Sequence, residues 1–301
     1  MSNNLEIQQL SQYYSKEKCA LNNLNLSLNN GLIGLLGSNG AGKSSLMRIL
    51  AGISQPSEGR VLWQGKNIAQ SANALRQTLG YLPQSFGVYD NLTAHEFLSY
   101  LASLKQIPTK VAKQRIAKLL EQLNLSEVAH RPLREYSGGM KQRVGIIQAL
   151  LNDPKLLIMD EPSTGLDPEE RAGLRDLLSE LADDRIIILS THIVSDVESI
   201  ADNIALLEQG KLITFSTPQQ LLNELHNQVW LCKITATELT QHANNLCISN
   251  RVRQGDGYLI RLVSKQQPLA QAMLTEPCLE DAYLYFNKIN QQQNEQLEQV
   301  A

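Results

Sequence analysis

Residues 37–45 read Gly37-Ser38-Asn39-Gly40-Ala41-Gly42-Lys43-Ser44-Ser45 and follow the apolar run Leu32-Ile33-Gly34-Leu35-Leu36. Glycines at this spacing let a backbone curl until several N–H groups face one concavity, and a helix opening at Gly42-Lys43 adds the positive end of its dipole. Such a loop cradles a nucleoside triphosphate: Lys43 would meet the β and γ phosphates, and the Ser44 hydroxyl would bind Mg²⁺. A second segment, Leu156-Leu157-Ile158-Met159-Asp160-Glu161, is an apolar strand ending in two carboxylates. Opposite a phosphate loop, Asp160 would hold Mg²⁺ through a water, and Glu161 would polarise a water for in-line attack on the γ phosphate. By themselves the two acids could equally begin a turn before Pro162. A third segment, Tyr136-Ser137-Gly138-Gly139-Met140-Lys141-Gln142-Arg143, sets a hydroxyl and two glycines at the start of a helix, where exposed N–H groups make a second anion site. Alone, it would equally be an N-cap at Ser137 and a turn.

The elements around these groups follow from periodicity. Leu5-Glu6-Ile7 and Leu24-Asn25-Leu26-Ser27-Leu28 alternate at period two and read as edge strands around a loop, and the next strand ends in the phosphate loop. Short strands follow at Arg60–Trp63 and Leu79–Gln84. From about residue 85 the pattern turns helical: Thr93-Ala94-His95-Glu96 is a capping box before Phe97, Leu98, Leu101 and Leu104, and Ile116, Leu119, Leu120 and Leu123 share one face of a further helix. Helix, buried strand 156–160, polar helix and strand Ile186–Ser190 then restore an α/β alternation, which argues for a mostly parallel sheet covered on both faces. Gln209-Gly210 between two apolar runs signals a hairpin, and a helix from Gln219 to Leu225 leads onward. Beyond 226 come strand Val229–Ile234, a short helix 238–246, and a hairpin around Gly255-Asp256-Gly257. The expected organisation is a nucleoside-triphosphate-binding domain over 1–225 with a helical insertion at about 85–152, a small α+β domain over 226–289, and a disordered polar tail over 290–301.

Composition narrows the classes. The chain has 301 residues, 43% of them hydrophobic, and a net charge of −3, so no broad basic field invites nucleic acid. Cys19, Cys232, Cys247 and Cys278 are scattered without metal spacing, which suits reduced thiols in the cytosol. No run approaches the 18 or so apolar residues of a membrane span, and Met1-Ser2-Asn3-Asn4 lacks the blocks of a signal peptide. A membrane role would therefore act through a partner. No internal repeat is visible.

The phosphate loop, Gln84, Ser137-Gly138-Gly139, Asp160-Glu161, Gly165-Leu166-Asp167 and His192, in that order, resemble the ATP-binding subunits of ABC transporters over roughly residues 5–225. The resemblance implies an α/β fold: a P-loop NTPase core of mostly parallel sheet with an antiparallel β subdomain and an inserted helical subdomain, here followed by the small C-terminal domain. It implies head-to-tail pairing with a second copy or a homologous subunit, so that ATP lies between one phosphate loop and the partner's Ser-Gly-Gly segment. It further implies that Tyr14 stacks on adenine, with Tyr13 a substitute. Gln84 would touch Mg²⁺ and the attacking water and couple to a transmembrane permease on a separate chain, His192 would contact the γ phosphate, and Asp167 would sit across the dimer interface. The family signature commonly reads Leu-Ser-Gly-Gly-Gln, and here Tyr136 and Met140 occupy its outer positions. Ser45 stands where Thr is frequent. Gly80–Tyr89 and Leu279–Leu284 resemble the bacterial export subclass, which implies a cytoplasmic ATPase held peripherally at the membrane by its permease. The competing reading is a soluble ABC-type ATPase acting on nucleic acid or translation.

Overall fold

The computed structural model describes residues 3–15, 18–242 and 246–298, with backbone alone for 241, 242 and 289–298. It divides into two compact units, Met1–Leu212 and Ile213–Ala301.

In the first unit, β1 (Asn4–Tyr13) and β2 (Cys19–Asn29) run antiparallel, pairing Leu5 with Leu28 and burying Leu5, Ile7, Leu10, Leu21, Leu24 and Leu28. After β3 (Gly31–Gly37) and α1 (Lys43–Leu50), β4 (Glu58–Trp63) returns to pair with β1, and β5 (Lys66–Asn67) completes the sheet order β2-β1-β4-β5. β1 is thus an interior strand of this sheet rather than an edge. α2 (Ala72–Thr78) leads to β6 (Leu79–Leu82); its one buried apolar residue, Leu75, gave no periodicity to detect.

The helical insertion follows. α3 (Ala94–Leu104) starts at a capping box, with Thr93 accepting from the Glu96 N–H and Glu96 accepting from the Thr93 N–H, and buries Ala94, Phe97, Leu98 and Ala102. α4 (Thr109–Gln122) buries Ala112, Ile116, Leu119 and Leu120. α5 (Gly138–Leu150) returns to the core, where a β-carbon at Gly145 would stand 2.8 Å from Leu82. The missing side chain is what lets α5 lie flat on β6.

The core sheet is then built from β7 (Leu156–Asp160), α6 (Pro168–Ala182), β8 (Ile186–Ser190), α7 (Ser195–Glu198), β9 (Asn203–Glu208) and β10 (Lys211–Ser216). Its order is β10-β9-β3-β8-β7-β6, parallel from β9 to β6. Every residue of β3, β7 and β8 is buried, which is why these strands read as continuous apolar runs and not as alternations. The Gln209-Gly210 turn has φ of 48° and 76°, as a two-residue hairpin requires.

The second unit holds α8 (Pro218–Glu224), β11 (Val229–Thr235), α9 (Ala236–His242), β12 (Cys247–Gln254), β13 (Gly257–Val263), β14 (Met273–Leu274) and α10 (Leu279–Glu298). Its antiparallel sheet, β12-β13-β11-β14, buries Cys232, Ile234, Ile260, Leu262 and Ala272. Asp281, fully buried near the start of α10, accepts the Arg261 guanidinium at 2.9 and 3.0 Å and the Cys278 N–H at 2.9 Å, which pins the helix to β13. Residues 243–245 of the expected short helix and residues 299–301 of the expected tail lie outside the described residues; 290–298 continue α10. Among the described residues no helix is long and apolar enough to cross a membrane.

Candidate functional site

The phosphate loop is shaped by its glycines. Gly40 and Gly42 have φ of 85° and 105°, and a β-carbon on Gly42 would run into the Ala20 carbonyl of β2. Gly37 is as tightly held, with the Leu207 carbonyl where a β-carbon would go. Ala41 is buried and Asn39 and Gly40 are exposed, so the concave side of the loop opens outward. Lys43 is 7% exposed and donates to the carbonyls of Gly37, at 2.7 Å, and Ser38, at 3.0 Å. Burial depresses its ammonium below the ordinary lysine value, while Glu161, Asp160 and Glu208 pull it upward.

The carboxylates arrive from the neighbouring strands. β8 separates β3 from β7, and Asp160 is in register with Ser190. Asp160 is 4% exposed, and among the described residues no group donates a hydrogen bond to its carboxylate. Glu161, one residue on, adopts φ of 51°, a left-handed geometry that costs a non-glycine residue about 1–2 kcal/mol. Five contacts hold it there: its N–H donates to Ser190 O at 2.9 Å, its carbonyl accepts from Thr164 N at 3.2 Å and Gln142 Nε2 at 3.4 Å, Oε1 lies 3.0 Å from His192 Nδ1, and Oε2 accepts from Thr164 Oγ1 at 3.4 Å. The kink turns its side chain out of the sheet towards His192, whose ring is more than half exposed.

A buried acid without a protein donor and an exposed Ser44 hydroxyl are hard oxygen ligands of the kind Mg²⁺ takes. The residues present fit that ion: Ser44 would bind it directly and Asp160 through water. Gln84, exposed in the loop after β6, forms no hydrogen bond among the described residues.

Tyr14 is 56% exposed, and its hydroxyl meets Ser45 Oγ at 3.1 Å, which brings the ring to the phosphate loop. Tyr13 is instead tied through its N–H to Ser57 Oγ at 3.0 Å.

Ser137, Gly138 and Gly139 open α5. Ser137 caps the helix by accepting from Met140 N at 3.2 Å, and Gly139 abuts the Gly165 carbonyl. No hydrogen bond among the described residues joins this segment to the phosphate loop. Asp167 caps α6, accepting from Glu170 N at 2.8 Å. Tyr136, at the leading position of the signature, is buried and donates to Val128 O at 2.7 Å, so the larger side chain is accommodated with its hydroxyl satisfied.

Sequence reasoning passed over Glu208, which accepts from Ser38 Oγ at 2.8 Å, and Gln142, which braces Glu161 from the helix behind the Ser-Gly-Gly segment. It also passed over Tyr81, whose phenol is raised first by burial and then by Asp160. Gln142 carried a local signal in its place within the segment Tyr136–Arg143, and Tyr81 in its place in the strand before Gln84; Glu208 carried none.

Residues 21–164 match the protein-family model described as ABC transporter. The chain is 43% identical over 192 residues to an uncharacterized ABC transporter ATP-binding protein of Nostoc sp., covering 63% of this chain and 57% of that one. It therefore spans little more than half the length of that relative. It is 36% identical to the bacitracin transport ATP-binding protein of Enterococcus faecalis, over 74% of this chain and 71% of the relative. Among solved structures, the ATP-binding subunit of an ABC transporter superposes with a TM-score of 0.68 at 28% identity, over 74% of this chain and 93% of that one.

Proposed function

Because the chain belongs to the family of ABC transporter ATP-binding proteins, we propose that it hydrolyses ATP to drive transport, as an export-type subunit whose permease is a separate chain. The observation that carries this reading is the convergence of Lys43, Asp160, Glu161 and His192 at the ends of adjacent strands, with Glu161 bonded to His192 at 3.0 Å. Lys43 and the N–H groups of the loop hold the phosphates; Ser44 and Asp160 would hold Mg²⁺, which would supply charge neutralisation during phosphoryl transfer to water. Glu161 orients and deprotonates the attacking water, and His192 braces that carboxylate while facing the γ phosphate. Gln84 reaches the same water.

Two copies pair head to tail, each adding Ser137, Gly138 and Gly139 to the other's ATP, with Asp167 at the interface; ATP closes the pair and hydrolysis reopens it. Ser137 and Gly138 are exposed, and nothing lies within 4 Å of where a Gly138 β-carbon would stand, which supports the approach of a second copy there. Phe86, Phe97, Tyr89 and Tyr100 form a chain of edge-on rings 5.9–6.0 Å apart beside the Gln84 loop, and Tyr89, Tyr100 and Leu104 are exposed. An apolar patch of this kind suits the permease, which would hold the subunit at the cytoplasmic face of the membrane. The similarity to a bacitracin transport protein supports export of a drug-like or peptide cargo.

The test is recovery of a polytopic membrane protein with the tagged chain, and phosphate release measured with and without that protein. Stimulation by that protein is the expected result. Stimulation by RNA or DNA, with no membrane partner, would establish the nucleic-acid reading instead.

A further inference from the structure

Ser190 ends β8, the strand between β3, which feeds the phosphate loop, and β7, which ends at Asp160. The register pairs Ser190 with Leu35 on one side and with Asp160 on the other. Paired residues on neighbouring parallel strands project to the same face, so Leu35, Ser190 and Asp160 form a row with Ser190 in the middle. Asp160 must act across β8 to serve a metal ion held at Ser44.

Ser190 is fully buried, and its hydroxyl has no hydrogen-bond partner, where protein interiors satisfy nearly every such group. The other polar atoms at this strand end are accounted for. Ser190 O accepts from Glu161 N, and Thr191 Oγ1 accepts from Ile193 N at 2.9 Å. A buried hydroxyl without a partner and a buried carboxylate without a donor therefore stand side by side on one face, at the level of the phosphate loop.

We propose that Ser190 is a positioning residue for the nucleotide's metal: its hydroxyl accepts a hydrogen bond from a water of the Mg²⁺ shell whose other proton goes to Asp160. The hydroxyl fixes that water, and the water fixes the carboxylate. This rests on the assignment of Asp160 to the metal made above. Alanine at this position would leave Asp160 in place and remove only the partner of its water.

The test uses the full chain and a fluorescent, non-hydrolysable ATP analogue titrated with MgCl₂. Ser190→Ala is expected to raise the Mg²⁺ concentration for half-maximal binding by about tenfold, a usual cost of losing an outer-shell partner. Binding in EDTA should be unchanged, and Ser190→Thr should restore the wild-type midpoint. With no partner to lose, Ser190→Ala should melt at or above the wild-type temperature; a lower melting temperature, or weaker binding in EDTA, would mark the hydroxyl as structural and overturn the proposal. A midpoint within twofold of wild type overturns it too, provided that Asp160→Asn shifts the midpoint. If Asp160→Asn has no effect, the metal assignment itself fails.

Discussion

His192 Nδ1 lies 3.0 Å from Glu161 Oε1, a bond between the residues that follow two adjacent parallel strands. The other carboxylate oxygen, Oε2, accepts from Thr164 Oγ1 at 3.4 Å, so both oxygens of Glu161 are positioned. Glu161→Gln keeps the shape and the contact with His192 and removes the base. Phosphate release is expected to fall at least about a hundredfold while ATP affinity stays near wild type. His192→Ala should fall as far, and the double variant little further, because residues acting as a unit are not additive. Normal turnover by Glu161→Gln would remove the glutamate from the role of base.

The two signature glycines should separate folding from pairing. A β-carbon at Gly138 meets nothing within 4 Å, whereas at Gly139 it would stand 2.6 Å from the Gly165 carbonyl. Gly139→Ala is expected to lower stability by about 1–3 kcal/mol in thermal or urea unfolding. Gly138→Ala should unfold like the wild type yet fail to form an ATP-dependent dimer in size-exclusion chromatography. Equal melting temperatures for the two variants would contradict the close packing of α5 on the turn at Gly165.

Tyr14, not Tyr13, reaches the phosphate loop through its hydroxyl bond to Ser45. Base stacking on an aromatic ring is worth about 1–3 kcal/mol. Tyr14→Ala should therefore weaken ATP binding by about tenfold or more in a fluorescence titration, and Tyr13→Ala by less than about twofold. The reverse order would move the adenine contact to Tyr13.

Lys105, after α3, is depressed to about 8 by burial while it donates to Gln148 O at 3.1 Å and Asn152 Oδ1 at 2.8 Å. Its unfolded-state value is near 10.5, so between about pH 8 and 10.5 the unfolded chain binds more protons. The contribution of this group to stability is least below pH 8 and rises through that window by at most about 1.4 kcal/mol per pH unit. Urea unfolding of wild type and Lys105→Met at pH 7.5 and 9.5 checks the sign: the difference should move in favour of the wild type at the higher pH.

What the sequence displayed were groups whose chemistry is local. The phosphate loop needs glycine at positions of positive φ, and the apolar runs of β3, β7 and β8 follow from burial on both faces. The capping box at Thr93 was visible for the same reason, since both partners lie within four residues. Glu208 and Ser38 are 170 residues apart, and nothing near either announces the other. Ser190 is equally mute in sequence, as a serine at a strand end; strand order alone sets it between Asp160 and the strand that feeds the loop. The two-residue β14 and the polar α2 failed for want of length and of a second buried side chain.

The phosphate loop is gripped on both flanks by main chain. The Ala20 carbonyl closes on Gly42, Gly210 N donates to Ala41 O at 3.0 Å, and Asn22 N donates to Gly210 O at 2.8 Å. None of these contacts uses a side chain, so mutation can alter the amino acids around the loop without altering its curvature. The conformational entropy that a floppy loop would surrender on meeting phosphate has already been lost in folding. Capture of the triphosphate end would then be rigid-body docking, and the tunable part of nucleotide affinity would lie with side chains outside the loop, such as the exposed Tyr14.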